Sequence, residues 1–128
     1  MGARMTLRGG AQLAAIQAHV DRMLDVIEQS YADRITLRTL AAMLNRQSAH
    51  LGHLFRKQVG MTVHQRLSHV RLYHAAELIC GDMKIEDAAL IVGYRSKKNF
   101  YRQFRRQFAT TPHAYARLAE RRDVEGQP

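Results

Sequence analysis

One pattern occurs twice in this chain, and the repetition limits the folds open to it more than any single residue does. Leu37, Leu40, Ala41, Leu44 and Asn45 recur 48 positions later as Ile85, Ala88, Ala89, Val92 and Gly93. Leu51, Phe55, Arg56, Lys57, Gln58, Thr62 and His64 recur 49 positions later as Phe100, Phe104, Arg105, Arg106, Gln107, Thr111 and His113. The offset changes by one residue in the turn between two helical patterns, so each copy reads as an apolar helix, a short turn and a basic helix. That is the layout of a helix-turn-helix, whose second helix is suited to a groove of duplex DNA.

The remaining segments organise around these copies. Ile16, Val20, Met23, Leu24 and Ile27 repeat at three and four, which predicts a first helix from about Ala11 to Tyr31. Thr36 is suited to cap a second helix that buries Leu37, Leu40, Ala41 and Leu44, and Asn45 suits a left-handed turn before a third helix from Ser48 to Val59, ended by Gly60. Thr62 caps a fourth helix that runs to Ile79, before Gly81 and Asp82. The second copy follows with a helix over Ile85 to Val92, a turn at Gly93, a helix capped by Ser96 that buries Phe100, Phe104 and Phe108, and a last helix opened by Thr111 and Pro112. The expected fold is all-α: about seven helices in two homeodomain-like helix-turn-helix subdomains, residues 11–60 and 82–120, joined by a linker helix at 61–81. Residues 1–10 and 121–128 lack periodicity and are expected to be flexible ends. A linker of ~27 Å would hold two small units apart, near the ~34 Å that separates two reading helices on one face of B-DNA. A single seven-helix globule is the competing architecture.

Charge points to the partner. The chain carries 20 Lys and Arg against 11 Asp and Glu, a net charge of +9 and a pI near 10.4, which favours a polyanion. Seven basic residues and no acidic one lie between Arg34 and Ala76, and the same holds between Ala88 and Ala119. The acidic residues gather at Asp21, Asp25, Glu28 and Asp33, from Asp82 to Asp87, and in the tail. Such segregation predicts an electropositive face rather than a mixed surface.

Within the second basic helix, six of the twelve residues from Arg95 to Arg106 are basic and none is acidic. Turning Phe100 and Phe104 inward leaves Lys97, Lys98, Tyr101, Arg102 and Arg105 outward. Arginine and lysine donate to guanine O6 and N7, and asparagine pairs with adenine N6 and N7. Lys97, Lys98, Asn99 and Arg102 are therefore expected at bases, with Arg95, Arg105 and Arg106 on phosphates. In the first basic helix the corresponding contacts fall to Ala49, His50 and His53 for bases and to Arg46, Arg56 and Lys57 for phosphates. Gly52 offers no side chain and weakens the helix by up to ~1 kcal/mol. The second copy is thus expected to discriminate bases and the first to anchor the backbone.

The motifs resemble the DNA-binding module of the AraC/XylS family of bacterial transcription regulators. In the second copy the likeness is carried by Ala88-Ala89, Val92-Gly93-Tyr94, Phe100, Arg102, Phe104-Arg105-Arg106, Phe108 and the run Thr111-Pro112-His113-Ala114-Tyr115. In the first it is carried by Leu40-Ala41, Leu51, Leu54-Phe55-Arg56-Lys57, Gly60 and Arg71-Leu72. The similarity extends from Ile16 to Leu118. It implies a sequence-specific regulator, usually an activator, that binds adjacent major-groove segments of double-stranded DNA and contacts RNA polymerase. Most family members resemble longer chains with an effector-binding or dimerisation domain. The residues before the first helix cannot form one, so the chain is either a stand-alone module or part of a longer regulator.

Other classes fit less well. The single cysteine, Cys80, excludes an internal disulfide and multi-cysteine zinc schemes, and its place beside Leu78 and Ile79 predicts a buried apolar role. The seven histidines form no HExxH motif, and no phosphate loop or nucleophile elbow occurs, so neither a metal, a cofactor nor an enzymatic activity is expected. No run of 18 apolar residues is present and Met1 to Gly10 lacks a secretory-signal pattern, which predicts a soluble protein without membrane contact; the single cysteine suits a reducing cytoplasm, and the expected DNA partner makes it nucleoid-associated. The alternative to a specific regulator is a sequence-tolerant, charge-driven architectural DNA binder.

Overall fold

The computed structural model describes residues 2–126, with side chains described for residues 9–121. Seven helices follow one another: α1 (Gly2–Ser30), α2 (Leu37–Leu44), α3 (Ser48–Val59), α4 (Val63–Cys80), α5 (Ile85–Ile91), α6 (Lys97–Phe108) and α7 (Pro112–Gly126). No strand occurs among the described residues. None of their helices is long and apolar enough to cross a membrane. The fold class is therefore the all-α one that the repeat predicts.

The chain divides into two compact units: residues up to Ser30 with Ile35–Arg66, and Tyr31–Arg34 with the chain from Leu67 onward. In the first unit, Val20, Met23 and Ile27 of α1 join Leu40 and Ala41 of α2 and Leu51, Leu54 and Phe55 of α3 in a buried core. Leu37 and Leu44, expected inside, are half-buried at its rim. α2 starts where expected. The Thr36 hydroxyl accepts the Thr39 N–H at 3.1 Å, and the Thr39 hydroxyl accepts the Thr36 N–H at 2.9 Å, a reciprocal box that satisfies two otherwise orphaned donors. A similar pair at α4 joins the Thr62 N–H to Gln65 Oε1 and the Gln65 N–H to the Thr62 hydroxyl.

The repeat is realised bond for bond. In the first turn, Asn45 takes the left-handed conformation (φ 54°), with its N–H on the Ala42 carbonyl and the Arg46 N–H on the Ala41 carbonyl. In the second, Gly93 has φ 106°, its N–H meets the Leu90 carbonyl, and the Tyr94 N–H meets the Ala89 carbonyl. Both pairs are the bonds of a Schellman closure, which ends a helix and turns the chain. The ends of α3 and α6 match as well: Gly60 and Ala109 both have positive φ and donate to the carbonyls of Arg56 and Arg105.

Gly52 has a role that its lack of a side chain conceals. A Cβ there would lie 2.7 Å from Leu37 Cδ2, so this face of α3 is turned toward α2 and is not a reading position. The obstructing atom is the end of a half-buried, rotatable side chain, and alanine would regain up to ~1 kcal/mol of helix propensity. Gly52→Ala is expected to change stability by less than about 1 kcal/mol in a chemical denaturation series. A loss well above that would mean that Leu37 has nowhere to move.

The second unit packs Leu72, Ala75, Ala76 and Ile79 of α4 with Ala88, Ala89, Val92, Tyr94, Phe100 and Phe104. It also takes in the segment between α1 and α2. The Arg71 guanidinium donates from Nε to the Tyr31 carbonyl at 2.6 Å and from Nη2 to the Asp33 carbonyl at 2.8 Å. The Tyr31 ring stacks on His74 with centroids 4.3 Å apart. Burial pulls the Arg71 pKa below its ordinary value, an effect opposed by the nearby Tyr94 hydroxyl.

Four expectations need correction. α1 starts at Gly2, not near Ala11, and α7 continues to Gly126. Periodicity reports only packed turns, whereas extending an existing helix adds one backbone hydrogen bond per residue without any apolar stripe. A Cβ at Gly9 or Gly10 would meet nothing within 4 Å, which is why these turns leave no pattern. The flexible-end expectation also covers Met1, Gln127 and Pro128, which lie outside the described residues. Cys80 is exposed, not buried: the core stripe of α4 runs through Leu72, Ala75, Ala76 and Ile79, and the next residue is rotated about 100° away from it. Phe108 is only half-buried, at the end of the α6 stripe.

Candidate nucleic-acid interface

α6 is built to hold an apolar face rigidly and leave the other face to cations. Ser96 caps it, its hydroxyl accepting the Asn99 N–H at 3.1 Å. Phe100 and Phe104 are fully buried. Their rings lie 5.7 Å apart, with Tyr94 5.3 Å from Phe100 and Phe108 and Tyr115 at 4.6 and 5.6 Å from Phe104. This aromatic cluster fixes the rotation of α6 about its axis. Lys98, Arg102 and Arg105 then fall at successive turns of the outer face, all exposed, with Arg106 beside them and Arg95 just before the cap.

Three side chains depart from the arrangement read off the helix alone. Tyr101 is half-buried rather than exposed, because its hydroxyl reaches to 3.4 Å from Nε2 of His113 on α7. Lys97 is exposed but engaged: its ammonium pairs with Glu86 in the first turn of α5 and lies 5.9 Å from the centre of the Tyr101 ring. Asn99 is half-buried, and its Oδ1 accepts from Arg102 Nη2 at 2.8 Å. Glu86 and His113 were not legible as part of this face. The only signal in sequence was an acidic residue opening α5, where the helix dipole already accounts for it.

The Lys97 hydrogen bond and charge hold the Glu86 carboxyl below the ordinary carboxylate range, and Glu86 in turn raises the Lys97 pKa. A depressed carboxylate contributes stability that is present above its unfolded pKa and lost as pH falls through the folded value. A raised lysine contributes below its unfolded pKa and loses that contribution as pH rises through the folded one. The pair is therefore intact between these limits. Carboxyl NMR titration is expected to place the Glu86 midpoint below that of an ordinary glutamate, and Lys97→Met is expected to move it up toward the ordinary value, with Lys84 and His113 still holding it down slightly. An unchanged midpoint in that variant would show that the pairing does not persist in solution.

In the first unit Ala49, His50 and His53 are exposed on α3, with Arg56 and Lys57 exposed in its last turn and Arg46 exposed in the preceding turn. Arg46 and His50 also border an open groove of about 340 Å³ beside α1, together with His19 and Ile16. The N-cap of α3, Gln47, makes no side-chain cap bond, unlike Ser96 at α6. Of the two basic helices, α6 is thus capped at its start, carries the denser cationic face and contains the Asn99–Arg102 pair.

Each unit presents a short apolar helix, a turn closed by the same two bonds, and an exposed basic helix, which defines a protein with two DNA-binding helix-turn-helix units. A family profile described as a helix-turn-helix domain matches residues 40–118. An HTH-type transcriptional regulator of Escherichia coli, YijO, is 31% identical over 102 residues, covering 79% of this chain and 36% of that protein. The lactose operon transcription activator of Staphylococcus xylosus is 28% identical over 105 residues, covering 81% of this chain and 38% of the activator. The chain therefore spans little more than a third of the length of these relatives. Among solved structures, the C-terminal domain of AraT, a response regulator from Geobacillus stearothermophilus, is similar with a TM-score of 0.75 and 25% identity, over 78% of this chain and 84% of that one. The chain belongs to the AraC/XylS family of helix-turn-helix transcription regulators.

Proposed function

We propose that the chain is a sequence-specific activator of transcription that reads two neighbouring stretches of duplex DNA, one with α3 and one with α6, and that RNA polymerase is its protein partner. The observation that carries the specific reading is the outer face of α6, where Lys98, Arg102 and Arg105 stand exposed over the fully buried Phe100 and Phe104. A helix held so firmly can present donors at a fixed register to base edges, which a merely charged, mobile surface cannot. In this reading Lys97, Lys98, Asn99 and Arg102 lie at the bases, with Lys97 reaching them only by leaving Glu86. Arg95, Arg105 and Arg106 lie on phosphates. Ala49, His50 and His53 face the groove in the first unit, while Arg46, Arg56 and Lys57 anchor its backbone. The name of the Staphylococcus xylosus relative supports activation.

Selection of bound sequences from a random duplex library, followed by titration of the winner and a scrambled duplex at two salt concentrations, tests the proposal. The expected result is a motif of two blocks about one helical turn apart, bound at least ~10³-fold more tightly than the control. A pool without a motif, with equal and salt-sensitive affinity for both duplexes, would replace the regulator reading with charge-driven binding. The division of labour between the units has its own check. Arg102→Ala is expected to cost about 1–3 kcal/mol on the selected site and to relax one base position, with His53→Ala causing a smaller loss. Equal loss of discrimination in the two variants would overturn that division.

A further inference from the structure

The groove of about 340 Å³ between α1 and the start of α3 is lined by donors that the contacts proposed so far use only in part. Arg46 and His50 come from the first helix-turn-helix, Gln12 and His19 come from α1, and Ile16 and Leu54 add apolar lining. No carboxylate lines it among the described residues. Arg46 carries a fixed charge and only donates, a histidine ring donates through at least one N–H, and the Gln12 amide can donate as well. The acidic residues of α1 lie elsewhere: Asp21, Asp25 and Glu28 are exposed and do not border the groove. Such a lining suits an anion. An open groove also suits a strand that passes along it better than a small molecule, which a pocket must largely enclose.

The spacing along α3 places this groove at the flank of the helix. His50 and Leu54 are four residues apart and share one stripe, and Leu54 is buried, so that stripe turns toward α1. Ala49 and His53, also four apart, form the exposed stripe beside it. A helix ~10–12 Å across nearly fills a major groove ~12 Å wide, so its outermost stripe meets base edges and its flanks meet the phosphates that wall the groove. We infer that His19, Arg46 and His50 form a binding site for a phosphodiester of the DNA backbone, held between α1 and α3, and that His50 contacts this wall of the major groove rather than a base. The inference rests on the DNA-reading function proposed above and adds α1 to the surface that meets DNA.

Ethylation interference on the selected duplex tests it, because ethylation neutralises one phosphate at a time and its first readout uses the wild-type protein. Ethylating one phosphate beside the block read by α3 is expected to weaken wild-type binding about tenfold, the equivalent of one hydrogen bond to a charged group. His19→Phe keeps an aromatic ring and removes its donors. This variant and His50→Ala are each expected to lose affinity by a similar factor and to reduce the penalty of ethylating that phosphate. Library selection with both is expected to return the wild-type motif, since a phosphate contact positions without reading. A base position relaxed in His50→Ala, an undiminished ethylation penalty in His19→Phe, or no sensitive phosphate beside that block would overturn the inference while leaving a specific regulator in place. Saturable shifts of the His19 and His50 ring signals on adding inorganic phosphate, with an ethylation pattern that neither variant alters, would overturn it in favour of a free anion. Selection of no motif by the wild type would overturn the proposed function and this inference with it.

Discussion

Gly93→Ala is expected to destabilise the second unit by about 4 kcal/mol or more, because two separate penalties meet at one atom. The φ of 106° lies where a side chain is strained by about 1–3 kcal/mol. The new Cβ would also sit 2.9 Å from the Ala32 carbonyl oxygen and 3.1 Å from Arg71 Nε. The Ala32 carbonyl is backbone and cannot swing clear, and the Arg71 guanidinium, at the end of a flexible side chain, can do so only by leaving its acceptors. Moving them breaks the Arg71 hydrogen bonds to the carbonyls of Tyr31 and Asp33, and bonds from a charged donor are each worth about 1.5–3 kcal/mol. Gly60→Ala is the control: φ is 85°, but a Cβ there would meet nothing within 4 Å, so only the left-handed backbone penalty of about 1–2 kcal/mol is expected. Denaturant titration followed by circular dichroism separates the two variants. Equal losses would show that close packing at Gly93 contributes nothing.

Phe104→Ala is the second large effect, about 3–5 kcal/mol for a fully buried ring that leaves a cavity. The ring is hemmed in by Phe100, Phe108 and Tyr115, so the site cannot close without moving α6 against α7. At a temperature where the variant is still folded, its preferred DNA sequence is expected to be that of the wild type, since none of the proposed contact residues has changed. A changed base preference with unchanged melting would overturn the assignment of Phe104 to the core and give it a part in recognition.

The repeat made most of the architecture legible, because it marked positions under the same geometric demand. Asn45 and Gly93 stand at equivalent turns, Thr62 and Thr111 open equivalent helices, and the buried Phe55 and Phe104 hold equivalent places. The candidate contact residues were legible as a list, since a helix with inward phenylalanines at i and i+4 assigns its cations to the other face. Their pairings were not. The bond of Asn99 to Arg102 is one of several rotamer choices open to an i, i+3 pair, and the Glu86–Lys97 pair depends on how α5 packs on α6. The Arg71 contacts were hidden for a different reason: their acceptors are backbone carbonyls, which any residue supplies and no side-chain pattern announces. The unpacked first turns of α1 were missed because helix without burial leaves no hydrophobic rhythm.

The Arg71 contacts also mean that the two copies, alike as sequences, are not interchangeable modules. The carbonyls of Tyr31 and Asp33 belong to the second unit yet precede the whole of α2 and α3 in the chain. A cut between α3 and α4 would release a fragment with both arms of the Arg71 guanidinium deprived of their acceptors. During synthesis Tyr31–Arg34 leaves the ribosome before Arg71 and Gly93, the residues it packs against. Any rearrangement that sought to transplant the second helix-turn-helix into another protein would have to carry along the four residues Tyr31–Arg34, which precede α2 in the chain.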